Sequence, residues 1–229
     1  MKKKIAILGS TGSIGKSLIE IIKKDKKNFD IILLTADSNY KEILKQAKIF
    51  NVKNLIITDE KSFKELKKKD LSNINIFNNY DSFDKIFKKK IDYVMSSISG
   101  ICGLEPTIKI IKHTKKIAIA NKEAIICGWH LIKKDLKKFK TLFVPVDSEH
   151  FSVFYAMQGN IISNINKVYL TASGGPLNNV PKAKFKNVKI SEAIKHPNWK
   201  MGKKISIDSA TMMNKVFEII EAKKIFNLK

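Results

Sequence analysis

Arginine is absent: all 44 Lys+Arg residues of the 229-residue chain are lysine, set against 21 Asp+Glu for a formal charge of +23. A surface selected to read nucleic acid usually draws on arginine, whose planar guanidinium pairs bidentately with phosphates and guanine edges. Here the lysines fall in short runs along the whole chain (Lys23-Lys24, Lys67-Lys68-Lys69, Lys88-Lys89-Lys90, Lys133-Lys134, Lys203-Lys204). With 36 Ile and 18 Asn beside them, they read as a coding bias toward A- and T-rich codons. A selected polyanion surface is the competing reading, and salt-sensitive retention on DNA separates the two. Either way the field attracts small anions. Cysteine is scarce: Cys102 and Cys127 cannot build a disulfide framework, and no spacing suggests zinc. No apolar run approaches the roughly 20 residues needed to span a bilayer. Only Ile5-Ala6-Ile7-Leu8 follow the basic start, too few for a signal-peptide apolar region. With 44% hydrophobic and 28% charged residues, the expected class is a globular cytoplasmic protein with no nucleic-acid or membrane partner.

Short β-rich runs alternate with amphipathic stretches over the first 146 residues. Strands are expected at Lys4–Leu8, Asp30–Ala36, Asn54–Thr58, Ile74–Asn78, Ile91–Ser96, Lys116–Ala120 and Thr141–Val146. Helices are expected at Ser13–Lys24, Tyr40–Phe50, Glu60–Lys68, Ser82–Lys88, Leu104–Lys112 and Lys122–Lys138. In the first of these, Ile14, Leu18, Ile21 and Ile22 fall on one face. This rhythm predicts an α/β fold with a doubly wound, Rossmann-like parallel sheet. Beyond residue 146 the texture changes: a helix over Phe151–Met157, a strand over Lys167–Ala172, and a last helix over about Ser209–Phe226. Residues 147–229 therefore read as a second, α+β domain that is incomplete at its C-terminal end.

The first strand enters Gly9-Ser10-Thr11-Gly12-Ser13-Ile14-Gly15 and then a helix. Glycines allow positive φ and close backbone approach, and the helix N-terminus presents N–H groups suited to a pyrophosphate. The pattern is a variant of the dinucleotide fingerprint; a ligand-free tight turn is the alternative. Asp37 lies 22 residues beyond Gly15, where an acid that bonds the ribose 2′-hydroxyl of NAD is expected; it also suits a helix N-cap.

Asp147 and Glu149 are two apart at the end of a strand, so extended chain would turn both carboxylates to one side. Crowded carboxylates resist joint ionisation unless a cation sits between them, and oxygen-only ligands suit Mg²⁺ or Mn²⁺. A solvated turn is the bland alternative. On the last helix Asn214 and Glu218 share a face beside Lys215, and an exposed acid paired with lysine is the ordinary reading of Glu218. Ser173-Gly174-Gly175, Ser209 opening the last helix, Asn214 and Lys215 form either an anion cradle or a glycine loop plus a helix cap. His196 and Trp199 sit in a Pro- and Gly-bounded segment, a lid or simply packing residues.

These motifs occur in one order: the glycine loop, then Ala120-Asn121-Lys122-Glu123, Pro145-Val146-Asp147-Ser148-Glu149-His150 and Ser173-Gly174-Gly175-Pro176. His196-Pro197-Asn198-Trp199-Lys200-Met201-Gly202 and Asp208-Ser209-Ala210-Thr211-Met212-Met213-Asn214-Lys215 complete the series. Over essentially all 229 residues the chain resembles the 1-deoxy-D-xylulose 5-phosphate reductoisomerases of isoprenoid biosynthesis.

The resemblance implies an oxidoreductase and isomerase that makes 2-C-methyl-D-erythritol 4-phosphate with NADPH and a divalent metal. Asp147, Glu149 and Glu218 would hold the metal. Ser173, Ser209, Asn214 and Lys215 would meet the substrate's phosphate under a flap carrying His196 and Trp199. Lys122, Ser148 and Glu149 would contact its other oxygens, with Lys122, Glu149 and His196 in catalytic roles and Glu218 also at the substrate. Thr11, Gly12, Ser13, Ile14, Asn39, Asn121, Glu123 and Gly202 would bind NADPH, with residues 1–146 as the cofactor domain. Such a metal acts as a Lewis acid on a chelated ketone and adjacent hydroxyl; the skeleton rearranges by retroaldol cleavage or a 1,2-shift, and hydride reduces the aldehyde.

Two departures stand out. Asp37-Ser38 replaces the small and basic pair common in the family, which predicts NADPH use with a weakened preference. Family members also continue past Lys229 through dimer contacts and a helical domain. The expectation is therefore a truncated chain with low or no turnover, its extreme a dinucleotide-binding remnant that does not catalyse.

Overall fold

The computed structural model describes residues 1–69, 71–157, 167–172, 174–196 and 202–228, in two compact units, Met1–Val146 and Asp147–Lys229. No helix among the described residues is long and apolar enough to cross a membrane.

The first unit is built on seven strands: β1 (Lys3–Leu8), β2 (Phe29–Ala36), β3 (Asn54–Ile57), β4 (Asn75–Phe77), β5 (Tyr93–Ser96), β6 (Lys116–Ile119) and β7 (Leu142–Pro145). They pair in the order β4-β3-β2-β1-β5-β6-β7, every pair parallel. All seven expected strands form, with ends displaced by a residue or two. Consecutive residues such as Ile5-Ala6-Ile7-Leu8 and Leu55-Ile56-Ile57 are all buried, so both faces of the sheet are covered and the strands read as apolar runs. The crossovers are α1 (Ser13–Lys24), α2 (Tyr40–Phe50), α3 (Glu60–Lys67), α4 (Phe83–Ile86), α5 (Leu104–Ile111) and α6 (Lys122–Lys138). Asn39, Asp59 and Asn121 cap α2, α3 and α6 by accepting from Glu42, Ser62 and Ala124 N–H groups.

Two helical expectations in this unit need correction. The segment Ser82–Lys88 resolves into a 3-10 turn, Tyr80–Ser82, and the single turn α4, because the chain leaves helical geometry at Phe87, whose ring is buried near that of Phe83. On α1 the buried residues are Gly15, Ile19 and Ile22, while Ile21 is 62% exposed. Gly15 packs against the Gly9 and Ser10 backbone of the loop, and of the four aliphatics only Ile21 turns away from the core, which Ile14, Leu18 and Ile22 contact.

The second unit contains α7 (Ser148–Ala156), a 3-10 segment Lys182–Asn187, α8 (Ile190–Ala193), α9 (Lys203–Ala210) and α10 (Met213–Phe226). Residues 167–172 form no strand. A strand needs a partner for its backbone N–H and C=O groups, and among the described residues this unit offers none. The helix expected over Ser209–Phe226 is two helices. Thr211 Oγ1 bonds back to the Ile207 and Asp208 carbonyls, both at 3.2 Å, and Met212 then turns left-handed at φ 60. Ser209 therefore closes α9 rather than opening a helix.

Candidate active site

The strand order reverses between β1 and β5, and in open α/β sheets ligands bind outside the strand ends at such a reversal. The glycine loop sits at that point. The Gly9 N–H donates to Thr35 Oγ1 and the Ser10 N–H to the Thr35 carbonyl, both at 2.9 Å. The Ser97 N–H and hydroxyl donate to the Leu8 carbonyl at 3.0 and 2.7 Å. The loop is thus pinned between the ends of β2 and β5. Gly9 has φ +78, and a Cβ on Gly15 would lie 2.4 Å from the Gly9 carbonyl oxygen. The first α1 ladder bond runs from Lys16 to Gly12, so the Ser13, Ile14 and Gly15 N–H groups precede it, as at any helix start able to accept an anion. Because the Gly15 contact is to backbone, Gly15→Ala is expected to cost about 1–3 kcal/mol of stability in urea unfolding. Wild-type stability in that variant would contradict the packing.

Thr11 is half-buried and Ser13 exposed, while the Ile14 side chain packs on the core, leaving its N–H as the group it offers. Asn39, not Asp37, caps α2; Asp37 is exposed and accepts from the Thr58 hydroxyl at 2.8 Å. Asn121 is buried, with its oxygen on the Ala124 N–H (2.8 Å) and its amide N–H groups on the Gly100 carbonyl (2.7 Å) and the Ile98 carbonyl. Both of its donors are therefore committed within the protein, and what it fixes is the loop after β5. Lys122 and Glu123 are half-buried in the first turn of α6.

In the second unit the extended geometry expected for Asp147 and Glu149 does not occur. Asp147 is the N-cap of α7 and Glu149 lies in that helix's first turn. The carboxylates meet nonetheless: ligand atoms of Asp147, Glu149 and Glu218 all lie within 4.8 Å of one another. Glu218 is no exposed helix acid; it is 1% exposed, on the inner face of α10. Three carboxylates at this spacing suit the hard-oxygen preference of Mg²⁺ or Mn²⁺. Lys215 Nζ stands 3.1 Å from Glu149 Oε1 and also bonds Glu218 and the Thr171 carbonyl. Asn214 donates to Glu218, and the Ser148 hydroxyl donates to Glu149 Oε2 at 2.7 Å.

Burial opposes the charge on both Glu149 and Lys215, but their hydrogen bonds outweigh it. Bonds from Ser148 and Lys215 hold Glu149 below the usual carboxylate range, and those to Glu218 and Glu149 hold Lys215 above its ordinary value. A carboxylate with a depressed pKa contributes stability above its unfolded value, lost as pH falls through the folded one. The stability difference between wild type and Glu149→Gln should therefore be constant above the unfolded glutamate value of about 4.3 and shrink at lower pH. Urea unfolding across pH 3–6 checks this; a pH-independent difference would contradict it.

An open cleft is lined by Glu149, Ala172, Gly174, Ser209, Met212, Asn214 and Lys215. The glycine pair and Ser209 are brought together here, since a Cβ on Gly175 would lie 2.3 Å from the Ser209 carbonyl oxygen. His196 Nε2 is 3.1 Å from the Gly174 carbonyl, which ties that residue to the same loop. Gly202 is the N-cap of α9. Ser173 and Trp199 lie outside the described residues. Sequence reasoning missed His150 and Glu221, both buried beside the acids. Their signal was position: His150 follows Glu149, and Glu221 is three residues after Glu218 on α10.

The chain is 64% identical over 232 residues to the 1-deoxy-D-xylulose 5-phosphate reductoisomerase of Pelagibacter ubique, covering 99% of this chain and 59% of that protein. It is 42% identical over 228 residues to the enzyme of that name from Wolbachia pipientis (99% and 58% covered). The reductoisomerase from Zymomonas mobilis in complex with NADPH superposes with a TM-score of 0.87 at 33% identity, covering 100% of this chain and 59% of that one. A DOX-P reductoisomerase in complex with NADPH, fosmidomycin and magnesium gives 0.90 at 34% identity (99% and 59% covered). The chain thus spans about three-fifths of the length of these relatives. The family model for 1-deoxy-D-xylulose 5-phosphate reductoisomerase matches residues 5–128 and that for its C-terminal domain residues 143–226, so the chain belongs to the 1-deoxy-D-xylulose 5-phosphate reductoisomerase family.

Proposed function

We propose that the chain carries out, at the low turnover expected of a chain spanning three-fifths of its relatives, the NADPH- and divalent-metal-dependent conversion of 1-deoxy-D-xylulose 5-phosphate to 2-C-methyl-D-erythritol 4-phosphate. The observation that carries this reading is the convergence of Asp147, Glu149 and Glu218 beside the cleft that Ser209, Asn214 and Lys215 line. Residues 1–146 form the cofactor unit and residues 147–229 the metal and substrate unit. When bound, Mg²⁺ or Mn²⁺ supplies Lewis-acid polarisation of the ketone and neighbouring hydroxyl. Asp147, Glu149 and Glu218 hold that ion. The glycine-loop amides take the cofactor's pyrophosphate, and Gly12, Ser13 and Ile14 lie along it. Thr11, Asn39, Asn121, Glu123 and Gly202 shape the rest of the cofactor's site.

Ser173, Ser209, Asn214 and Lys215 receive the substrate's phosphate by hydroxyl, amide and ammonium donors. Lys215 joins the carboxylates and the cleft, so its ammonium balances their charge and is within the same wall that meets the phosphate. Lys122, Ser148 and Glu149 orient the reacting oxygens, while His196 and Trp199 close over the sugar and exclude water. Binding the remote phosphate supplies free energy for that closure. Cys102 and Cys127 are exposed free thiols, which suits a reducing cytoplasm.

The test follows NADPH oxidation with the keto-sugar phosphate as substrate, with and without divalent metal. Consumption that stops on chelation and returns with Mg²⁺ or Mn²⁺ is expected. Consumption indifferent to chelation, or none with metal restored, would overturn the reading.

A further inference from the structure

Beside the three carboxylates lies a second buried pair, His150 and Glu221, at 0% and 2% exposure. We infer that His150, steadied by Glu221, is a positioning residue that sets the spacing between the metal ligands Asp147 and Glu218. The inference rests on the metal reading proposed above and adds residues to it.

The imidazole bridges the two helices that carry the ligands. His150 belongs to the first turn of α7, and its Nε2 lies 2.8 Å from the backbone carbonyl oxygen of Glu218 on α10. A carbonyl only accepts, so Nε2 carries a proton and donates. The opposite edge of the ring, Nδ1, lies 3.7 Å from Glu221 Oε2 and 4.0 Å from Asp147 Oδ1. One rigid ring therefore runs from the backbone of one ligand to the side chain of another. Glu221 follows Glu218 by three residues on the buried face of α10, so it flanks the ring from the helix that the ring is bonded to. The Phe226 ring, with centroids 6.4 Å apart, packs near it. A shift of the Glu218 backbone carries the bonded ring with it, and so changes the distance from Nδ1 to Asp147. Groups that orient metal ligands in this way typically govern affinity by about 10–100-fold.

Asp147, His150 and Glu221 also converge within 4.8 Å of one another, which makes His150 as a ligand the rival assignment. Substitutions separate the two. Manganese is titrated into the full 229-residue chain, with free Mn²⁺ read by electron paramagnetic resonance and folding checked by circular dichroism. Glutamine places its amide nitrogen near the Nε2 position and keeps a donor for the Glu218 carbonyl, whereas asparagine reaches only the Nδ1 position and leucine has no donor. His150→Leu and His150→Asn are expected to weaken Mn²⁺ binding about 10–100-fold, Glu221→Gln about tenfold, and His150→Gln by no more than about threefold. Should His150→Leu fail to fold, the His150→Asn and His150→Gln pair carries the comparison.

Wild-type affinity in His150→Leu or His150→Asn, or equal losses in the asparagine and glutamine variants, would overturn the positioning role while leaving the metal reading intact. Binding abolished by Glu221→Gln but unaffected by Glu149→Gln would overturn it in favour of His150 as ligand. A wild-type chain that takes up no Mn²⁺, or no more than Asp147→Asn does, would overturn the metal reading itself and this inference with it.

Discussion

Glu218→Gln is expected to lower metal-dependent NADPH oxidation by about a thousandfold or more, because Lewis-acid stabilisation is worth several kcal/mol and each 1.36 kcal/mol is a decade in rate. NADPH affinity should be unchanged, since the glycine loop belongs to the other compact unit. The substitution is close to isosteric. Its amide oxygen still accepts from Asn214, and Lys215 keeps its partners Glu149 and the Thr171 carbonyl. Removing a buried charge that shares its space with two other carboxylates should leave the fold intact, so circular dichroism should match wild type. Oxidation within tenfold of wild type, or NADPH affinity lost in parallel, would contradict the assignment of Glu218 to the metal.

Asp37→Asn is expected to raise the preference for NADPH over NADH by about tenfold, the worth of some 1.4 kcal/mol. Asp37 stands at the end of β2, where these folds choose between a ribose hydroxyl and a 2′-phosphate, and its exposed carboxylate opposes the second phosphate charge. Asparagine removes the charge but keeps an oxygen for the Thr58 hydroxyl, now bonded to Asp37 at 2.8 Å, so the loop geometry is preserved. The gain should appear as tighter NADPH binding, with NADH bound equally or more weakly through loss of the anionic acceptor. Unaltered discrimination would mean that the side chain does not face the ribose.

The sheet of the first unit was legible because its order is local: each strand is an apolar run of a few residues, closed by a cap or a glycine. β1 and its loop could be read directly, since buried parallel strands are apolar on both faces and Gly9 alone tolerates its left-handed turn there. The second unit was less legible for a physical reason. Helix α10 buries Glu218 and Glu221 while leaving Val216 and Ile219 at 44% and 55% exposure, the reverse of ordinary amphipathic patterning. An acid beside Lys215 on such a helix is ordinarily exposed, and Glu218 read as a surface acid. Motif order singled out Asp147, Glu149 and Glu218, whose carboxylates do converge, although the extended chain expected at Asp147 is a helix cap. The break at Met212 left no signal in propensity, because it arises from Thr211 bonding back along α9. His150 was hidden for a different reason: its partner, the Glu218 carbonyl, lies on another helix 68 residues away.

Everything proposed for catalysis depends on side chains from α7 and α10 sharing one divalent ion. The most direct measurement is Mn²⁺ stoichiometry at saturation, in wild type and in the single substitutions Asp147→Asn and Glu218→Gln. The account predicts one tightly bound Mn²⁺ per wild-type chain and none in either variant. Mn²⁺ held by both variants as firmly as by wild type, or a wild-type chain that binds none, would contradict it.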